Sequence, residues 1–273
     1  MLKNVVVPLD GSEYSWSAVH HSIQIARPFR ATIHGVYAID AKVINGDLLN
    51  DLKVDPEVAR EVYKAKGQNL LADFSEKCEA EKLTCQSVVD VSAIPDLIRK
   101  TARGVDAELI IMGKKGVNAQ WTGPLLGSTA ESVVRRVGRP VLLAQEVYAP
   151  IKKVLVAYDG ELVSIRALRF TADLCQRCKW DMSVISVHDS EGQRQKLLQQ
   201  ALEMAELHQL KITTIGKSGD VTEQIIEAVS EHTDTLIAIG AYSSRLRRLI
   251  LGNIPEEIMH QAMQPVLIYR PTS

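Results

Sequence analysis

The sequence predicts an α/β protein made of two tandem doubly wound domains, each a five-stranded parallel sheet flanked by helices. Three observations carry that prediction. Continuous apolar runs such as VVVPL (5–9), ELIIMG (108–113) and PVLLA (140–144) are too short for helices and do not alternate, as strands buried on both faces do not. Between them lie stretches whose apolar residues recur at helical spacing. The chain also repeats itself, which is the strongest of the three.

The repeat runs through three segments in one order. VVVPLDGS (5–12) matches VLVAYDGE (154–161), with Asp10 on Asp159 and Gly11 on Gly160. AELIIMGKKG (107–116) matches DTLIAIGAYS (234–243), and LLGSTAESVVRRVGRPVLLA (125–144) matches ILGNIPEEIMHQAMQPVLIY (250–269). The copies are expected to occupy 1–148 and 149–273. The second lacks a counterpart to AKVINGDLLNDLKVDPEVAREVY (41–63), placed between its second strand and the next helix.

In the first copy VVVPL ends in Asp-Gly and turns into a helix over 15–27. ATIHGVYAI (31–39) is the second strand. A helix over about 56–80 follows, with Val58, Val62, Ala65, Leu70 and Phe74 apolar. TCQSVVDV is the third strand, IPDLIRKTA a helix opened by Pro95, ELIIMG the fourth strand, TAESVVRRV a helix and PVLLA the last strand. Strands alternating with helices of this length make right-handed crossovers, the Rossmann-like pattern. Ligands in such sheets bind beyond the carboxyl ends of the strands, where the strand order switches.

Bulk properties narrow the function classes. The 273 residues are 46% apolar and 24% charged, ordinary for a chain that buries a proper core. Lys and Arg number 32 against 33 Asp and Glu, so no bulk positive field exists to hold nucleic acid or an anionic membrane. MLKNVVVPLDGSE has too short an apolar run for a signal peptide, and no segment reaches the ~18 apolar residues that span a bilayer. No nucleic-acid or membrane partner is expected, and the expected compartment is the cytoplasm. Four cysteines suit a reducing compartment. Cys175 and Cys178 form a C-x-x-C inside a helical pattern rather than at a helix start, which reads as structural thiols. The seven histidines show no metal-ligand spacing, so neither a metal site nor a catalytic set is expected.

Three features converge at the carboxyl ends of the first copy's strands. Strand one delivers Pro8 and Asp10, strand four ends in Met112 and Gly113-Lys114-Lys115-Gly116, and Gly127-Ser128-Thr129 opens the next helix. The glycines let backbone approach a phosphate, and Ser128 and Thr129 add hydroxyls and N–H groups at a helix N-terminus. Lys114 and Lys115 supply charge, and Asp10 can accept from ribose hydroxyls or help hold a cation. A blander reading stands beside this one: Asp10 caps the first helix, and Ser128 forms a capping box with Glu131. Neither G-x-G-x-x-G nor G-x-x-x-x-G-K-[ST] occurs in this context.

The run GKKGVNAQWTGPLLGSTAESVV between ELIIM and RPVLLA, with VVVPLDGSE at the N-terminus, resembles the universal stress protein family in its tandem form. The resemblance implies ATP in the crevice, with magnesium, on a family signature G-x2-G-x9-G-[ST]. Carried over by position, Asp10 becomes a ribose or metal-side contact and the backbone near Ala38 an adenine contact. The expected nucleotide-binding set is Pro8, Asp10, Ala38, Met112, Gly113, Lys115, Gly116, Gly127, Ser128 and Thr129. One departure is that ten residues, Val117 to Leu126, separate Gly116 from Gly127, so the loop holding Trp121, Gly123 and Pro124 must bulge.

The second copy departs further. Its matching set is Asp159, Gly240, Ser243, Gly252 and Asn253, with Ser243 for Gly116, Ile254 for Thr129, and an eight-residue loop, SRLRRLIL (244–251). Weak or no nucleotide binding is expected there, unless Arg245, Arg247 and Arg248 act as a phosphate clamp. The resemblance also implies pairing of the two copies through their last strands, PVLLA against PVLIY; a homodimer of chains is expected as well, because two-fold pairing is common among soluble oligomers. The functions it leaves open are a nucleotide-dependent stress or regulatory protein with unidentified protein partners, a slow ATPase or self-phosphorylating enzyme, and a scaffold for metal or an apolar ligand beneath residues 41–63.

Overall fold

The structure, a computed structural model, describes residues 2–44, 55–117, 126–241 and 253–270. The first copy contributes β1 (Asn4–Pro8), α1 (Glu13–Phe29), β2 (Thr32–Asp40), α2 (Ala41–Ile44), α3 (Pro56–Ala80), β3 (Cys85–Ser92), α4 (Ile94–Gly104), β4 (Leu109–Gly113), α5 (Ser128–Arg136) and β5 (Val141–Ala144). The second repeats the pattern as β6 (Lys153–Ala157), α6 (Leu162–Cys178), β7 (Asp181–Val187), α7 (Glu191–Leu207), β8 (Ile212–Lys217), α8 (Val221–Val229), β9 (Thr235–Gly240), α9 (Asn253–Gln261) and β10 (Val266–Tyr269).

All ten strands form one sheet in the order β3-β2-β1-β4-β5-β10-β9-β6-β7-β8. Within each copy every pairing is parallel. The two meet at a single antiparallel seam, with Val266 opposite Leu143, Leu267 opposite Leu142 and Ile268 opposite Val141. The last strands therefore pair inside one chain, as the resemblance implied. The order reverses direction at β1 and β4 in the first copy and at β6 and β9 in the second, which opens a crevice at each.

Strand alternation distributes the apolar side chains between two layers. Val5 and Val7 point to the layer built with α1, α3, α6 and α7, and Val6 to the layer built with α4, α5, α8 and α9. Each layer runs unbroken across the seam, so the copies share both cores.

Duplication is visible in backbone conformation where side chains have diverged. Gly11 and Gly160 sit at φ 89° and 80° in the Asp-Gly turns. Arg30 and Lys179 end α1 and α6 in the left-handed region at φ 53° and 58°, each cap N–H returning to a carbonyl of the helix. Lys82 and Gln209 repeat this after α3 and α7.

The copies differ around α3. It has 25 residues against 17 for α7, so the first copy's extra chain does not all precede the helix. Residues 56–63 add turns to the helix itself, with Asp55 as N-cap and Pro56 at its first position. Residues 45–54 lie outside those described.

Candidate functional site

β1 delivers Pro8 to the switch point, and the left-handed Gly11 turns the chain into α1. Ser12, not Asp10, is the N-cap of α1: its hydroxyl accepts from Ser15 N at 3.2 Å. Asp10 instead accepts from Ser12 N at 2.9 Å and Ser12 Oγ at 2.6 Å through Oδ1, and from Val117 N at 3.0 Å through Oδ2. Its carboxylate thus ties the first turn to the glycine segment after β4. The capping reading of Asp10 is corrected, because Ser12 stands two residues nearer the helix start and takes that role.

The glycine segment leaves β4 and closes on itself before α5. Gly127 N donates to Lys114 O at 3.0 Å, and Gly127 is the N-cap of α5, bringing no side chain to the first amides. The capping box does not form. Ser128 is already the first helical residue, and Glu131 pairs with Arg135 at 3.0 Å instead. The amides of α5's first turn therefore face the crevice as an anion-binding end of the helix dipole.

A cavity of about 240 Å³ lies here. All ten nominated first-copy residues line it: Pro8, Asp10, Ala38, Met112, Gly113, Lys115, Gly116, Gly127, Ser128 and Thr129. Its inner end is an apolar slot completed by Val36 on β2 and by Ile94 and Ile98 on α4, with Ala130 below. These four escaped the sequence reading, although Ile94 and Ile98 stand at i, i+4 on the face that turns toward the sheet.

The glycines there have distinct jobs. A Cβ on Gly113 would lie 2.7 Å from Tyr14 Cβ and 2.8 Å from Lys115 O, so this glycine lets α1 pack on the strand end. Gly240 does the same against Val163 and Ser164. A Cβ on Gly116 would meet Asp10 Oδ2 at 2.6 Å, so this one keeps the Asp10 tie.

Lys114 does not serve the cavity. It is 5% exposed, and its Nζ donates to His260 O at 3.1 Å and Ala262 O at 3.0 Å, at the C-terminal end of α9 in the other copy. Strand alternation explains the correction: Ile110, Met112 and Lys114 share one face, and beyond β4 that face abuts α9. Leu126 N donates to His260 Nδ1 at 3.2 Å, so both ends of the glycine segment rest on α9. Gln145 Nε2 adds bonds to Ala262 O at 3.0 Å and Gln264 O at 2.6 Å. Arg270, at the repeat position of Gln145, reaches the opposite way to Val134 O at 2.7 Å and to Arg135 O, at the end of α5. Donors thus meet the negative end of each helix across the seam.

Burial, with the Lys115 charge second, pulls the Lys114 ammonium down to about 8. An unfolded lysine holds its proton to roughly 10.4. Between these values the unfolded chain binds more protons, so stability at this position rises with pH, and the burial penalty is fully present below about pH 8. Lys114→Met should lower stability by about 1–3 kcal/mol near pH 9.5, where neutral lysine still donates, and by less near pH 7.5. Urea unfolding at the two pH values checks this, and a loss independent of pH would count against it.

In the second copy Asp159, Gly240 and Asn253 line a corresponding cavity, while Ser243, Gly252, Arg245, Arg247 and Arg248 lie outside the described residues. Asp159 Oδ1 accepts from Glu161 N at 2.9 Å and Ser164 Oγ at 2.5 Å.

Cys175 and Cys178 both lie within α6, and burial pushes Cys175 far up and Cys178 to about 12, so both remain unreactive thiols at neutral pH. Among the described residues no three His, Cys, Asp or Glu side chains are grouped to hold a metal, and no helix is long and apolar enough to cross a membrane.

Fold and site together define a tandem doubly wound α/β protein with a crevice at the strand-order switch point of its first half. The universal stress protein family model matches residues 1–145 and 189–270, and the chain belongs to that family. A universal stress protein of Synechocystis sp. is 22% identical over 98% of this chain and 100% of its own length. The crystal structure of a universal stress protein from Archaeoglobus fulgidus superposes with a TM-score of 0.82 at 20% identity, covering 98% of both chains. A functionally unknown protein from Pseudomonas aeruginosa does so with a TM-score of 0.70 at 15% identity, over 99% of this chain and 93% of that one. At these identities the two structures speak to the fold alone.

Proposed function

We propose that the first copy, residues 1–148, binds ATP and that the protein acts as a nucleotide-dependent regulator in the cytoplasm. The observation that carries this reading is the meeting of all ten nominated residues around one cavity at the switch point. The adenine lies in the slot of Val36, Ala38, Ile94, Ile98 and Met112, where apolar walls favour a flat base. The ribose faces Asp10. The phosphates lie over the Ser128 and Thr129 amides, near Lys115. Residues 149–273 form the partner unit, and bound nucleotide sets the surface around 113–129 that protein partners read.

Asp10 is the one carboxylate lining the cavity among the described residues, and both its oxygens already accept hydrogen bonds. Magnesium would be held chiefly by phosphate oxygens and water, as this small cation tolerates. The same scarcity of acceptors favours retention of ATP over turnover, since among the described residues no second carboxylate or histidine lines the cavity to orient water. All four thiols are free, which suits the reducing cytoplasm. Two chains are taken to associate by two-fold symmetry, and light scattering giving the mass of one chain at working concentration would oppose that.

Saturating ATP with magnesium should raise the melting temperature, since a ligand at a hundred times its Kd stabilises by about 2.7 kcal/mol. Gly127→Glu should not respond, because its side chain would start 3.2 Å from Lys114 O and bring a carboxylate to the phosphate end. A wild-type transition unmoved by ATP, in protein that also releases no nucleotide on denaturation, would remove the proposal. Phosphate release no faster than from Gly127→Glu is expected.

A further inference from the structure

Where the strands of the second copy begin, at the opposite ends from its crevice, a cavity of about 340 Å³ lies beneath α8. Leu155, Val229 and Thr235 are almost fully buried in its wall, and Ile215 is half-buried. Lys211, Asp181 and His232 stand exposed at its rim. Lys153 and Thr235 are register partners on β6 and β9, in line with Leu155 and Ile237 of the α8 layer, so their side chains stand together on this face.

The first copy fills the same place from within. Its Asn4, His34 and Gln86 hold the register positions of Lys153, Ser183 and Thr213. Asn4 Oδ1 meets His34 Nε2 at 2.9 Å, and His34 also bonds Gln86, so these polar side chains satisfy one another across three strands. Glu108, at the repeat position of Thr235, accepts from Lys3 N at 3.0 Å and Asn4 N at 2.8 Å. In the second copy Ser183 and Thr213 are too short to rebuild that chain of bonds. Thr235 is 4% exposed, yet its Oγ1 has no hydrogen-bond partner among the described residues. Among the same residues Lys153, Lys211 and Asp181 make no ion pair. An unused buried hydroxyl beside an unpaired ammonium is a seat for an anion.

The surroundings select the anion. Two lysines against one aspartate leave one positive charge in surplus, and the cavity borders the carboxyl-terminal end of α8, where the helix dipole is negative. A singly charged group is therefore preferred to a phosphate dianion. The aliphatic wall of Leu155, Ile215 and Val229 lets an alkyl body leave water.

We propose that this cavity binds a small monocarboxylate with an aliphatic body, its carboxylate at Lys153 Nζ and Thr235 Oγ1 and its alkyl group on Leu155, Ile215 and Val229. The proposal does not depend on the ATP reading, since the two sites lie in different copies and at opposite ends of the strands.

Isovalerate, its neutral amide isovaleramide and inorganic phosphate are the probes, each titrated into the full chain and followed by the methyl signals of Leu155, Ile215 and Val229. Isovalerate should shift these methyls with half-saturation below about 1 mM. Isovaleramide and phosphate should each need at least about tenfold more. Lys153→Met should weaken isovalerate at least about tenfold and leave isovaleramide unchanged. Thr235→Val keeps the shape and removes the unused hydroxyl, so isovalerate should bind about threefold to tenfold more weakly while the urea midpoint stays the same or rises. Methyls unmoved by isovalerate, isovaleramide that binds as tightly, or phosphate that binds more tightly overturns the proposal. So does isovalerate binding unchanged in both Lys153→Met and Thr235→Val.

Discussion

Phe74→Ala should lower the free energy of unfolding by about 3–5 kcal/mol, and adding Gly35→Val to it should recover a substantial part of that loss. Phe74 is wholly buried on α3, and its ring lies where a side chain on Gly35 of β2 would stand: a Cβ there would be 2.7 Å from Phe74 Cε1. The second copy solves the same contact the other way round. Its matching residues are Val184 on β7 and Ala201 on α7, both fully buried. One copy places its volume on the helix and the other on the strand. Gly35→Val alone should be destabilising through overpacking, by about 1–3 kcal/mol, so the double variant should show strong favourable coupling. Denaturant unfolding of the two single variants and the double variant measures it; simple additivity would contradict the exchange.

Gly113→Val and Gly116→Val should fail in different ways. At Gly113 the added atoms meet Tyr14 and the Lys115 carbonyl, so α1 must move off the strand end, costing about 1–3 kcal/mol or more of folding stability. At Gly116 the first obstacle is Asp10 Oδ2 alone. Folding should then be largely preserved while the Asp10 tie to Val117 is displaced and the crevice mouth narrows. ATP affinity should fall at least about a hundredfold, roughly 2.7 kcal/mol. Melting curves with and without ATP separate the effects. A Gly116 variant that binds as wild type would show that the nucleotide avoids this segment.

The halves, the strands and the loops at their carboxyl ends could be read in the sequence because each depends on local pattern. VVVPLDGS against VLVAYDGE fixes the first strand, its turn and the repeat at once. Helix ends were displaced by up to two residues at α1, where Ser12 caps earlier than apolar spacing alone suggests. The direction of Lys114 was not read, although alternation from Ile110 and Met112 assigns its face. What lies on that face is α9, nearly 150 residues later, and no local pattern reports a neighbour so distant. The apolar slot was missed for a related reason: Val36, Ile94 and Ile98 look like core residues, and only the strand order leaves them lining a cavity.

The antiparallel seam has a consequence for how the chain can change over generations. Two identical subunits joined by a two-fold axis must present every interface residue twice, so a substitution that suits one end of the contact is imposed on the other. Joining the copies covalently lifts that obligation. Lys114 reaches α9 from the first copy, while its counterpart, Ala241, offers α5 nothing similar; Gln145 faces Arg270 at matched positions with different chemistry. The seam is held without dependence on concentration, and each side of it is free to be tuned alone.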